Sequence, residues 1–446
     1  MKTLTNHART LNHQSRPNQS VLVKLLSPML LLLFVSITLG CAERGPVVEK
    51  SDVADWLPPE VQEEMKKKVA EEKVAKEKTE KSEQDLQQAA ESDSAKQETT
   101  AGSWPVFRGN RLANGYTAET LPDELNVLWE HKVDNGSFES TPVIDDGIVF
   151  IGDLDNKLFA LDLATGEVKW EFETDIGFYA APAIENGRVF IGNIDGYFFC
   201  LDAKSGKELW QFETGASIDG GANFYKENVI VGSQDAKLYC LNQETGELVW
   251  QHEIDDQIRC SPTIVENRAF VAGCDGVLHI IDLDKGEAAE GVLIESPTGV
   301  TPSVMGDVVY FGTEQAGFFA VDWKKAEVIW NFEDPNGAAS TRSNPATFED
   351  HIVFGTRNRK VFSLKPATGE INWQFEAKGP IDSSPVIAGT RVYVGSDDRR
   401  MYVLDLATGE KLSERELNGK IVGSPAVVAG RLIVATNRGV VYCLGK

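Results

Sequence analysis

Tryptophan recurs in this chain at a nearly fixed interval, and that interval constrains the fold more than any other feature. Trp129, Trp170, Trp210, Trp250, Trp330 and Trp373 are 41, 40, 40, 80 and 43 residues apart. The interval of 80 spans two units, with Glu290 in the slot between them. A fixed aromatic at this period marks a repeat architecture in which each unit buries its apolar face against its neighbours. Such arrays favour extended binding surfaces over a single catalytic cleft.

Each unit has the same internal grammar. The first runs Ser140-Thr141-Pro142, then Gly147 to Gly152, then Asp155 to Asp162, and ends Thr165-Gly166-Glu167-Val168-Lys169-Trp170-Glu171-Phe172. Short runs of Val, Ile and Phe punctuated by Gly, Asp and Asn predict four strands joined by tight turns. Asp155-Asn156, Asp195-Gly196 and Asp275-Gly276 suit hairpin turns with positive φ. Gly166, Gly206, Gly246, Gly286, Gly369 and Gly409 occupy a second turn that favours a left-handed residue. A strand-opening proline recurs at Pro142, Pro182, Pro262, Pro302, Pro345, Pro385 and Pro425, with Ala222 in the remaining slot, which makes eight units. The last unit stops after its third strand at Tyr442-Cys443-Leu444, and the missing strand is available at Val127-Leu128-Trp129-Glu130-His131. A chain that lends its first strand to its last blade closes a ring and removes sheet edges. The fold class predicted for residues 104–446 is therefore all-β: an eight-bladed β-propeller whose N-terminal strand completes the last blade.

The Gly-His and Trp-Asp pairs of WD repeats are missing. The units instead resemble the pyrroloquinoline-quinone (PQQ) repeat, whose docking motif is Ala-x-Asp-x-x-Thr-Gly-x-x-x-Trp. Ala160 to Trp170 matches it at every fixed position, and Cys200 to Trp210, Cys240 to Trp250 and Ser363 to Trp373 match with substitutions. The unit at Ala326 loses the glycine, and those at Glu290 and Ser413 lose the tryptophan. The resemblance specifies the fold; many relatives of this kind bind no quinone.

Residues 1–41 read as a lipoprotein-type signal peptide. Lys2, Arg9, Arg16 and Lys24 precede an apolar run from Leu25 to Leu39, and no acid occurs before Glu43. Thr38-Leu39-Gly40-Cys41 resembles a lipobox, which implies cleavage before Cys41 and acylation of that residue; the alternative is an ordinary signal peptide. Residues 42–103 are expected to form a charged tether, partly helical between Glu60 and Glu91, with a disordered stretch before the repeats. The chain carries a formal charge of -24, which argues against nucleic acid as a partner.

Cys200, Cys240 and Cys443 share one slot in the third strand and are expected to be small buried hydrophobes. Cys260 and Cys274 are close enough in one unit for a disulfide, though two free thiols are the simpler expectation. The histidines are scattered, and no Cys-x-x-Cys or His-x-x-His occurs, so no metal site is predicted.

Three residues before each strand-opening slot the units differ: Glu139, Tyr179, Asp219, Arg259, Gly299, Arg342, Asp382 and Val422. The neighbouring position is apolar or Thr throughout, from Phe138 and Phe178 to Ile258 and Ile421. A varied slot beside a uniform one has the character of function placed on scaffold. Three readings compete for this ring at the channel mouth. Its charges neutralise one another; or Ile258 and Arg259 supply an apolar anchor and a donor fork to a partner; or arginines and acids hold a quinone and calcium. Arg357, Arg359, Arg399 and Arg400 form a further basic group, either a partner patch or a solvated edge.

The quinone reading predicts an alcohol or sugar dehydrogenase. Against it stand the missing adjacent cysteines and the uniform unit lengths, which leave little chain for a lid. The expectation is a monomeric, non-catalytic binding scaffold without cofactor. Among PQQ-like repeat families it most resembles the outer-membrane assembly factors of the BamB type. That resemblance implies a lipid-anchored protein on the periplasmic side of the outer membrane, in contact with a barrel-assembly subunit. It carries over only to Ile258 and Arg259, within Gln257-Ile258-Arg259-Cys260-Ser261-Pro262. The long tether departs from that family. Trp104-Pro105-Val106-Phe107-Arg108-Gly109 resembles the entry segment of other envelope repeat proteins.

Overall fold

The computed structural model describes residues 102–315, 317–335, 337 and 340–446. The signal peptide with Cys41, and all but the last two residues of the tether, lie outside the described residues. What is described is built of strands and connecting turns, with no helix. Seven successive antiparallel sheets carry the chain from Val143 to Glu416, each with its strands in sequence order from the channel outward. The eighth contains Ala426–Val428, Arg431–Thr436 and Val440–Gly445, and its outer strand is Asn126–Lys132. Asn126 pairs with Gly445 and Lys132 with Val440, so the ring closes as the unit count requires.

The glycine turns behave as read. The six repeat glycines have φ between 68° and 75°, and Ala326 takes the same turn at 55°. Asp155-Asn156 differs from expectation, because Asn156 does not adopt positive φ. There Asp153 Oδ1 accepts from the backbone N–H groups of Asp155, Asn156 and Lys157 and holds the turn instead.

The tryptophans join blades. Each indole N–H donates to a backbone carbonyl of the next blade at 2.7–3.1 Å: Trp129 to Leu163, Trp170 to Ala203, Trp210 to Gln243, Trp250 to Leu283, Trp330 to Pro366 and Trp373 to Leu406. The indole lies on the repeat glycine of that next blade, where a Cβ would come within 2.5–2.7 Å of the ring. Across the strand from each Trp stands a small residue: Cys443, Ala160, Cys200, Cys240, Ala320 or Ser363. Where the Trp is absent that partner is larger, Ile280 opposite Glu290 and Val403 opposite Ser413. The shared cysteine slot is thus a volume constraint. Burial pushes the Cys200 and Cys240 thiols up to about 12 and Cys443 up to about 11. Cys260 and Cys274 are free thiols.

A second segment organises the centre. Residues 104–117 cross the channel as a strap along the innermost strands. Trp104 exchanges both backbone bonds with Ile144 of blade 1, and Pro105 accepts from Ile184 of blade 2. The Arg111 carbonyl accepts from the Asn223 side chain of blade 3 and from Ile264 N–H of blade 4. Leu112, Asn114 and Gly115 accept from Val304, Thr347 and Ile387 of blades 5, 6 and 7. The strap ends by pairing Tyr116-Thr117 in parallel with Ile387-Ala388. Arg108 is fully buried within it, and its Nη2 donates to the carbonyls of Pro345 and Pro385.

Candidate functional site

The mouth is built by one hydrogen bond repeated in every blade. The residue heading each second-to-third hairpin donates its N–H to the loop entering the same blade at 2.8–3.2 Å, from Leu154 to Ser137 in blade 1 through Asn437 to Lys420 in blade 8. Entry loops and hairpins therefore share one face. The third-to-fourth turns lie on the other, where Leu163 N–H donates to Gly147 beside the first turn. The strap lies below the mouth, against the bodies of the first strands, so the mouth is a cup with a floor.

The uniform neighbours of the variable slot are packing residues. Phe178, Ile218, Ile258, Thr341, Ile381 and Ile421 each sit over the glycine ending the second strand of the preceding blade, where a Cβ would come within 2.1–2.7 Å. Ile258 is fully buried, over Gly232. This corrects its reading as an apolar anchor for a partner: its side chain is buried in a blade–blade contact.

The variable residues divide into two groups. Glu139, Arg342 and Asp382 share one electrostatic neighbourhood with Asp397, Arg357 and Lys420. Arg357 pairs with Asp382 at 3.2 Å, and Lys420 pairs with Asp397 at 2.7 Å. Burial, followed by repulsion from Asp382 and Asp397, raises the Glu139 pKa. Burial likewise raises that of Asp382 against the pull of Arg357. Arg342 is exposed and makes no ion pair among the described residues. On the opposite sector the partners are local. Asp219 accepts from the Ser217 hydroxyl at 2.6 Å and from Gln234 Nε2 at 2.5 Å. Arg259 is exposed, and its Nε and Nη2 donate only to the neutral amide oxygen of Gln257 at 3.0 and 2.7 Å. Tyr179 is 43% exposed. The five charges therefore do not meet at one point: Glu139, Arg342 and Asp382 do, while Asp219 is held by the entry loop and hairpin of its own blade and Arg259 within its own loop.

Sequence reasoning overlooked Gln234, Arg357 as a mouth residue, and Asp397. They belong to a second varied column, Leu154, Ile194, Gln234, Cys274, Glu314, Arg357, Asp397 and Asn437, legible once the hairpin heads are aligned. The four-arginine cluster is neutralised: Arg357 pairs with Asp382, Arg359 with Glu376, and Arg399 and Arg400 with Glu416. Among the described residues no group of three or more His, Cys, Asp or Glu side chains is placed to hold a metal.

A uniform ring of blades whose cup is lined by residues of varied chemistry defines a PQQ-like repeat propeller. The chain belongs to the family described as outer membrane protein assembly factor BamB, whose model matches residues 122–332 and 331–444. BamB from Moraxella catarrhalis superposes with a TM-score of 0.62 at 18% identity, covering 72% of this chain and 98% of that one. The quinohemoprotein alcohol dehydrogenase of Comamonas testosteroni gives 0.66 at 17% identity, over 77% of this chain and 81% of that one. A europium-containing methanol dehydrogenase gives 0.65 at 13% identity, over 77% and 98%. Both non-enzymatic and enzymatic propellers thus share this fold. No curated protein matches the sequence.

Proposed function

We propose that this propeller is a non-catalytic docking scaffold of the cell envelope, supporting outer-membrane protein assembly as the family description states. The observation that carries this reading is the family match, which runs through all eight repeats. The mouth supports it. Arg259 and Arg342 are exposed guanidiniums without a carboxylate partner among the described residues, and Tyr179 adds an exposed aromatic. Arg and Tyr at an otherwise satisfied surface suit recognition of an acidic protein partner. On this reading the partner is a barrel-assembly subunit, and a lipid on Cys41 holds the monomer at the periplasmic side of the outer membrane.

The donor set fits a calcium–quinone centre poorly. Asp382 and Asp397 are engaged by Arg357 and Lys420, and the cysteines are separate free thiols. We propose that the protein works without PQQ. The test is capture of cross-linked envelope partners by wild type and by Arg259→Glu and Arg342→Glu. The exposed positions leave folding intact, and capture of the partner is expected to fall at least tenfold in each variant. Unchanged capture would sink the docking reading, and stoichiometric binding of PQQ with calcium would replace it with the dehydrogenase.

A further inference from the structure

The outer strands of the blades follow one rule with one exception. In seven of them the residues one and three places after the tryptophan slot are both polar or charged, as Glu171 and Glu173 are in blade 1 and Gln251 and Glu253 in blade 3. Blade 4 has Gly291 and Leu293 there, on its outer strand Glu287–Leu293. Leu293 is 65% exposed, more than any other large apolar residue described. Gly291 is exposed and stands across from His279, whose ring is tied to Asp275 at 2.8 Å. The fold does not require this glycine. Its φ is not positive, and a Cβ would meet only Val277 Cγ1, at an ordinary 3.4 Å. The strand pairs with Val277–Asp282 on its inner side and ends the sheet.

We propose that the outer edge of blade 4 is a strand-addition site. It takes an extended segment of another protein, with a bulky aromatic residue over Gly291 and a basic residue opposite Glu290. The backbone sets the kind of occupant: an edge strand offers a row of unpaired N–H and C=O groups, which another strand satisfies. In the sister blades long polar and charged side chains stand over that row, and in blade 4 they are gone. A glycine inside a strand weakens it unless a ligand or another backbone approaches closely, and a cross-strand aromatic offsets the loss by covering it. The charge follows from Glu287 and Glu290, which are exposed and form no ion pair among the described residues. A basic residue directly opposite either one gains, and an acid loses. A second copy of this chain fits poorly. A two-fold axis at Gly291 would set glycine against glycine, and one at Glu290 would oppose two carboxylates. The edge lies on the outer wall of the ring, so the inference goes beyond the docking role given to Arg259 at the mouth.

The probe is the capped peptide Thr-Val-Thr-Phe-Lys-Thr carrying fluorophenylalanine, titrated into the whole protein and followed by fluorine NMR. Laid antiparallel, it sets its Phe opposite Gly291, its Lys opposite Glu290 and its Val opposite Leu293. Saturable binding is expected, with hydrogen exchange slowed only along Glu287–Leu293. Gly291→Gln and Leu293→Glu restore the residue types of blade 3, and each weakens binding at least tenfold. Both positions are exposed, so the cooperative melt is kept. Arg259→Glu leaves binding unchanged. Methylating alternate backbone nitrogens of the probe abolishes binding in one alternation and spares it in the other, because only one row of N–H groups faces the edge. Absence of saturable binding overturns the proposal, as does protection elsewhere in the chain, equal binding by Leu293→Glu, or equal binding of the two methylated probes. Self-association abolished by Leu293→Glu, without probe binding, overturns it in favour of a second copy of the chain.

Discussion

Asp382 is the residue on which the mouth's electrostatics turn. Desolvation outweighs Arg357, so its folded pKa lies above the ordinary 3.8. The folded state then takes up a proton at a higher pH than the unfolded chain, and the cost of the buried charge is relieved as pH falls through the folded value towards 3.8. Asp382→Asn should therefore melt above wild type at neutral pH, with the gap closing in weak acid, as calorimetry would show. The comparison must be between variant and wild type. Burial lowers the pKa values of His131, His252 and His351, which cost stability below 6.5 in both proteins alike. Arg108 poses the complementary case. Its guanidinium is fully buried, and desolvation lowers its pKa to about 9, while Nε and Nη1 have no partner. Its value lies in clamping two carbonyls, and its cost lies in the charge. Arg108→Gln keeps donors without the charge and should melt within a few degrees of wild type. Arg108→Ala, which orphans both carbonyls, should lose about 1–3 kcal/mol in denaturant titrations.

At the scale of the blade, the indole, the glycine beneath it and the small residue across the strand act as one unit. The glycine and tryptophan are lost together where Ala326 faces the Glu290 slot, because the glycine is required only where an indole lies on it. Trp170→Ala should cost about 3–5 kcal/mol, the usual penalty for emptying a buried aromatic site. The same loss is expected for Trp323→Ala: Trp323 of blade 5 stands outside the repeat register, but it is buried with its ring centroid 5.6 Å from that of Phe270 in blade 4, at the junction where Glu290 holds the tryptophan slot. A change below about 0.5 kcal/mol, typical of surface sites, would show that Trp323 does not replace the missing docking residue. The outer strands are guarded by charge: Glu173, Glu213, Glu253, Glu333, Glu376 and Glu416 each end one. Acids along exposed edges oppose pairing with further strands, which gives the acidic composition a local purpose.

Across the whole molecule two N-terminal segments do separate work. Asn126–Lys132 completes blade 8, while residues 104–117 tie blades 1 to 7 together at the axis. Deleting residues 122–132 should abolish the single cooperative transition, because it opens a hydrophobic blade and exposes an edge. Removing everything before residue 119 should keep the ring but lower its melting temperature and open the floor of the cup. Calorimetry with size-exclusion chromatography separates these outcomes. Equal damage from both truncations would contradict the division of labour.

The repeat determined the fold class, the number of blades, the turn glycines and the identity of the closing strand. Each is a local pattern copied eight times, and the copies average out the ambiguity of any single one. Sequence alone also exposed the varied slot that holds Glu139, Arg259, Arg342 and Asp382. Only the tertiary structure decided what surrounds those residues. Ile258 is buried because its neighbour is a glycine of the preceding blade, a contact made across about 26 residues of sequence. Trp104 to Thr117 has no periodicity and belongs to no unit, so nothing in its own residues announces that it bonds to seven blades at once.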